Sequence, residues 1–226
     1  MNRLLVFDLD GTLVDSSRDL ADAVGALVVE YGGRPPGIDR VTEMVGDGAA
    51  VLVRRALHAA GLDPDMPGAL ERFLTHYDAR LTNSTRPYPG IPETLDQLAA
   101  HGHGMAVLTN KPQRQTMEIL ERLGLRSRFA DVVGGDTAAG RKPDPAGLHQ
   151  IMARARSGPT ETVLVGDSAV DLETARRAGT GICLVRYGFG YRFAPEAFDG
   201  SELFVDTPDE LVARLTPVVA RSPRPG

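Results

Sequence analysis

Two aspartates one residue apart, Asp8 and Asp10, follow the apolar run Arg3-Leu-Leu-Val-Phe7 and lead into Gly11-Thr12-Leu13-Val14-Asp15. If the extended chain continues through Asp10, its two-residue period puts both carboxylates on one side and Leu9 on the other. A carboxylate is a weak nucleophile but a fully available one at neutral pH, and attack on phosphorus would give an aspartyl-phosphate that water later hydrolyses. That role falls to Asp8. A second acid two residues on, Asp10, protonates a leaving oxygen and then takes a proton from water. Gly11 permits a tight turn, and the amides around Leu9 to Gly11, with Thr12 beside them, form a candidate anion nest. Taken alone, Asp-x-Asp-Gly is an ordinary polar turn after a strand.

Further candidates stand at the ends of other apolar runs. Thr109, Asn110 and Lys111 follow Met105-Ala-Val-Leu108, where a hydroxyl and nearby amides suit phosphoryl oxygens. A capping Thr before a helix that tolerates Pro112 is the plain alternative. Lys142 precedes Pro143, which favours an extended backbone and an ammonium aimed into a cleft rather than a solvated loop lysine. Asp167 ends Val163-Leu-Val-Gly166, and Asp171 lies about one helical turn further on; capping and surface charge are their ordinary readings. Brought together, Asp8, Asp10, Asp167 and Asp171 carry four negative charges against one positive from Lys142, or −3 before any phosphate arrives. A hard, oxygen-ligated dication such as Mg²⁺ answers that imbalance.

The string Phe7-Asp-Leu-Asp-Gly-Thr-Leu-Val-Asp-Ser16 resembles the first motif of the haloacid dehalogenase superfamily, and three more motifs follow in order. Leu108-Thr-Asn110 is similar to the second, Lys142 in Arg-Lys-Pro-Asp-Pro to the third, and Gly166-Asp-Ser168 with Asp171 to the fourth. The resemblance implies a phosphatase whose nucleophile is Asp8. It implies metal ligation by Asp8, the Asp10 carbonyl and Asp167, with Asp171 binding directly or from behind them. Dehalogenases lack the acid at position 10, and phosphonate hydrolysis in the family uses an inserted lysine, of which residues 16–86 contain none.

These residues need elements to hold them. Short apolar runs at 3–7, 105–108, 162–165, 182–185 and 203–205 read as buried strands. Amphipathic stretches at 91–101, 113–123 and 169–178 carry helix start and stop signals. The alternation predicts an α/β fold with a Rossmann-like, mostly parallel sheet covered on both faces. Residues 16–86 break the rhythm with three helical patterns (18–31, 49–60 and 67–81) and no strand. The expected organisation is a catalytic core of residues 1–15 and 87–220, an inserted α-helical cap of residues 16–86, and a frayed tail of residues 221–226.

Within the cap, the segment from Thr42 to Leu57 resembles that of phosphoglycolate phosphatases, as do Thr109-Asn-Lys-Pro112 and Lys142-Pro-Asp-Pro145. That likeness implies 2-phosphoglycolate as substrate. Gly46, Asp47 and Gly48 would approach it, and Arg54 or Arg55 would answer its carboxylate unless that arginine is a plain surface charge. Asp47 would oppose that carboxylate if it faced inward. The alternatives are a capped phosphatase for a sugar phosphate or pyrophosphate, a β-phosphoglucomutase-like mutase, and a non-catalytic phospho-ligand-binding protein.

Composition sets the remaining bounds. The 226 residues are 42% hydrophobic and 24% charged, close to a globular average, with a formal net charge of −5 that offers no field for nucleic acid or an anionic membrane. The expected partner is a small phosphorylated metabolite. No stretch approaches membrane-spanning length, Asp8 interrupts any signal-peptide core, and the lone Cys183 sits in an apolar run as an inert thiol. A cytoplasmic protein is expected. His101-Gly-His103 reads as a turn after a helix rather than a metal motif, and Gly188-Phe-Gly190 lacks the third glycine and the strand-to-helix setting of a dinucleotide fingerprint.

Overall fold

The structure is a computed structural model that describes residues 2–216. The expected tail and the last residues of the expected core lie outside the described residues. The chain opens with β1 (Leu4–Phe7), makes a two-residue strand β2 (Val14–Asp15), and then runs through four helices: α1 (Ser17–Glu30), α2 (Ile38–Thr42), α3 (Ala49–Ala59) and α4 (Ala69–Asp78). It returns through β3 (Arg86–Pro87) and α5 (Ile91–Ala100) to β4 (Gly104–Leu108), α6 (Gln113–Arg122), β5 (Asp131–Val133) and α7 (Ala146–Ala155). It finishes with β6 (Thr162–Gly166), α8 (Ala169–Ala178), β7 (Gly181–Val185), β8 (Leu203–Val205) and α9 (Glu210–Leu215).

The main sheet has the order β5-β4-β1-β6-β7-β8, and every neighbouring pair is parallel. Its strands are short apolar runs because both faces are covered. Leu5 and Phe7 point to the side packed by α5, α6 and α9, while Leu4 and Val6 point to the side of α7 and α8. β1 lies between β4 and β6, with Phe7 in register with both Val107 and Val165. Connections run to opposite sides of β1, so the carboxyl ends of β1, β4 and β6 frame a crevice at the switch point.

The five expected strands are present within a residue at each end, and the α/β class holds. β5 escaped the sequence reading because Asp131-Val-Val133 is only three residues long, too short for periodicity to register. The segment between β2 and β3 is helical: α1 packs on α2, α3 and α4, and its buried side chains join the core of the α5–α6–α9 face. Where it leaves and re-enters the core, β2 and β3 pair antiparallel as a two-stranded ribbon, a pairing the expectation did not include. Among the described residues no helix is long and apolar enough to cross a membrane.

Candidate active site

Strand ends deliver the acids. The Asp8 amide still donates to the Val165 carbonyl at 2.9 Å, so the extended chain runs one residue past β1 before Leu9 starts the turn. Asp167 follows β6 directly, and Asp171 enters on the first turn of α8. One carboxylate oxygen from each of Asp8, Asp167 and Asp171 lies within 4.8 Å of the others, and all three residues are buried. Lys142, buried between them, places Nζ 2.8 Å from Asp8 Oδ1 and 2.6 Å from Asp171 Oδ1; its peptide bond to Pro143 is cis.

The surroundings divide the labour. Asp171 Oδ2 accepts from the Ser168 amide and hydroxyl in a capping box, so both of its oxygens have partners once Lys142 is counted. Asp167 accepts the Gly190 amide at 2.7 Å on Oδ2 alone. Gly11 (φ 87°) presses against the Asp167 carboxylate, and Gly188 lies against both Asp167 and the Gly11 carbonyl; a Cβ at either position would collide. Gly188-Phe189-Gly190 is thus a brace on Asp167, a role that depends on contacts across the fold and leaves no local sequence signal. The amide nest expected at Leu9 to Gly11 is partly spent, since the Gly11 amide donates to the Val14 carbonyl.

Three carboxylates with one ammonium leave two negative charges in a dry place. Burial pushes the Asp8 carboxyl up to about 6 against the pull of Lys142, with Asp171 and Asp10 adding to the rise. Asp167 is raised well above the usual carboxylate value, by burial first and then by Asp171 and Asp8. Burial alone would lower Lys142, but Asp171 and Asp8 more than offset it and hold the ammonium charged. This surplus of buried negative charge, presented by oxygen donors, fits a hard dication.

Asp10 faces a different set of groups. Its carboxylate accepts from the Ser16 hydroxyl at 2.5 Å and from Lys111 Nζ at 3.0 and 2.9 Å. Lys111 is buried, lies 4.6 Å from the Tyr77 ring centroid, and is held charged by Asp10 despite the opposing effect of burial. Neither Ser16 nor Tyr77 was singled out from sequence. Ser16 stands in the sequence only as the last residue of the first motif, and an aromatic residue inside an amphipathic helix carries no signal beyond core packing.

Above these groups opens a cleft between the strand ends and the helical segment. Asp8, Asp10, Thr109, Asn110, Lys111 and Asp167 line its core side. Asn110 Nδ2 donates to the Gly46 carbonyl at 2.8 Å and to the Lys142 carbonyl at 2.9 Å, tying the helical segment to the core. Gly46 and Gly48 line the cleft, whereas Leu9 and Thr12 are buried away from it. Arg54 is not brought there. It pairs with Asp65 at 2.7 Å on the outer surface, both side chains more than half exposed, because the apolar face of α3 turns inward. Asp47 is spent on Arg55 at 2.6 Å, also outside the cleft, so the expected arginine for a substrate carboxylate is absent from its wall. His103 is structural, accepting the Arg3 amide on Nδ1.

A family model described as haloacid dehalogenase-like hydrolase matches residues 5–185. A phosphoglycolate phosphatase of Pseudomonas fluorescens (strain Pf0-1) is 39% identical over 215 residues, covering 93% of this chain and 78% of the relative. One from Agrobacterium fabrum is 38% identical over 226 residues, covering 97% and 93%. The crystal structure of a predicted phosphoglycolate phosphatase from Haemophilus somnus 129pt superposes with a TM-score of 0.87 at 29% identity, covering 95% of this chain and 98% of that one. With the family model matching well over half of the chain and the Pseudomonas and Agrobacterium relatives 38–39% identical across most of their length, this chain belongs to the haloacid dehalogenase-like hydrolases.

Proposed function

We propose that the protein is a Mg²⁺-dependent phosphatase that cleaves a small phosphomonoester, 2-phosphoglycolate, to glycolate and phosphate. The observation that carries the chemistry is the buried cluster of Asp8, Asp167 and Asp171 around Lys142 at the switch point of the sheet. The substrate rests on the relatives, two of which bear the name phosphoglycolate phosphatase at 38–39% identity.

In this reading an Asp8 oxygen attacks phosphorus, the bond from phosphorus to the leaving oxygen breaks, and that oxygen takes a proton from Asp10. Asp10 then accepts a proton from water as the water oxygen attacks the phosphoryl group, breaking the bond to Asp8 and releasing phosphate. The Thr109 hydroxyl, the Asn110 backbone amide and Lys142 hold the phosphoryl oxygens, while the Asn110 side chain stays on the Gly46 and Lys142 carbonyls. Asp8, the Asp10 carbonyl and Asp167 would hold the metal, with Asp171, already bonded on both oxygens, in contact or behind; when bound, the ion neutralises the cluster and draws charge from the phosphoryl oxygens. Residues 16–86 act as a cap on the core of residues 1–15 and 87–220, closing over the substrate to exclude water. The buried lone cysteine suits a cytoplasmic setting.

The test is phosphate release from 2-phosphoglycolate, alongside a panel of sugar phosphates and pyrophosphate, with Mg²⁺ and with chelator. Release that needs Mg²⁺ and disappears in Asp8→Asn is expected. An Asp8→Asn enzyme of undiminished rate overturns the nucleophile, and a better substrate elsewhere in the panel overturns the substrate. Isomer formation in place of phosphate release identifies a mutase.

A further inference from the structure

The cleft wall formed by the helical segment is apolar: Leu20, Val45, Leu52, Phe73 and Leu74 face the space where a leaving group must sit. Arg54 and Arg55 are committed to Asp65 and Asp47 outside it, and Lys142 lies beneath, shared by Asp8 and Asp171. Among the described residues Lys111 is therefore the one cation that lines the cleft. Its Nζ donates to both oxygens of Asp10 and lies 4.6 Å from the centroid of the Tyr77 ring. Beside it stands Tyr77, 2% exposed, whose hydroxyl is buried without a hydrogen-bond partner among the described residues. An unpaired hydroxyl in such a place costs stability unless a ligand meets it.

We infer that Lys111 and Tyr77 form the specificity-determining pair of the cleft, receiving a carboxylate on the leaving group through the charge of the ammonium and the O–H of the phenol. This deepens the phosphatase reading and rests on it for the placement of the phosphoryl group at Asp8. It also answers how an apolar wall would select a small anionic leaving group. Neutral leaving groups leave the Tyr77 hydroxyl unpaired, and a site built to hydrogen-bond a substrate group rejects analogues that lack it.

Calorimetric binding in Mg²⁺ buffer separates this inference from the catalytic one. The probes are 3-phosphonopropionate, which carries a phosphonate and a carboxylate, and propylphosphonate, which lacks the carboxylate. The wild-type protein is expected to bind the first at least roughly 10-fold more tightly, the range of one charge-assisted hydrogen bond. Tyr77→Phe, which keeps the ring, should narrow that ratio by roughly 3- to 10-fold, and Lys111→Met should erase it. A wild-type ratio near one overturns the inference, as does a ratio that survives in Tyr77→Phe. Equal weakening of both probes in Lys111→Met also overturns it, because the lysine would then serve the phosphonate or Asp10. If Lys111→Met does not fold, the wild-type ratio and Tyr77→Phe decide. None of these readings depends on turnover, so absent phosphate release from 2-phosphoglycolate defeats the phosphatase reading separately.

Discussion

At the residue scale, Asp8 combines two demands that oppose each other. As the proposed nucleophile it must be ionised at neutral pH, yet burial lifts its carboxyl from 3.8 to about 6, and only Lys142 keeps it from rising further. Because the folded protein binds this proton more tightly than the unfolded chain, the contribution of Asp8 to stability is complete below about pH 4 and is lost as pH rises through about 6. Asp8→Asn has no such proton to lose. In chelator, its melting temperature relative to wild type should climb between pH 4 and pH 7, by the equivalent of up to about 3 kcal/mol. A pH-independent difference between the two melting curves would show that Asp8 titrates normally in the folded protein.

At the scale of elements, the ribbon of β2 and β3 and the start of α1 form the joint between core and helical segment. Asp19, buried in the first turn of α1, accepts from the Ser84 amide at 3.0 Å, the Thr85 amide at 2.8 Å and the Thr85 hydroxyl at 2.7 Å. One carboxylate thus ties the outgoing helix to the returning strand across 66 residues of chain. Ser16, on the same joint, also holds Asp10, so the position of the proposed acid is linked to that of the joint. Asp19→Ala strands the donors of Ser84 and Thr85 and should cost about 2 to 4 kcal/mol in urea unfolding. A cost near zero would mean that water replaces the carboxylate freely. Nothing in the sequence marked Asp19, because its partners lie in a loop defined only once the four helices have folded.

For the whole molecule, two hydrophobic layers on opposite faces of one sheet position a site that carries surplus negative charge. Ions that bind the folded state alone stabilise it by mass action, by about 2.7 kcal/mol at a hundred times the dissociation constant. Saturating Mg²⁺ should therefore raise the melting temperature of the wild-type protein, and Asp167→Asn should remove most of that rise. No shift in the wild-type melt would sink the metal assignment, whatever the activity assays report.

The four motifs, the strand pattern and the helical interruption were legible in the sequence because each is local: apolar runs a few residues long, helix stops at glycine, and acids at strand ends. Adjacency across the sheet was not. That Asp8 and Asp167 share a site follows from β1 pairing with β6 across more than 150 residues, which only the register decides. The partners of Arg54 and Lys111, Asp65 and Asp10, are likewise consequences of how α3 rotates and where β4 ends. Local chemistry thus names the candidate reacting groups, while tertiary packing determined which charge each one meets, because electrostatic partners are set by distance in space and by burial rather than by position along the chain.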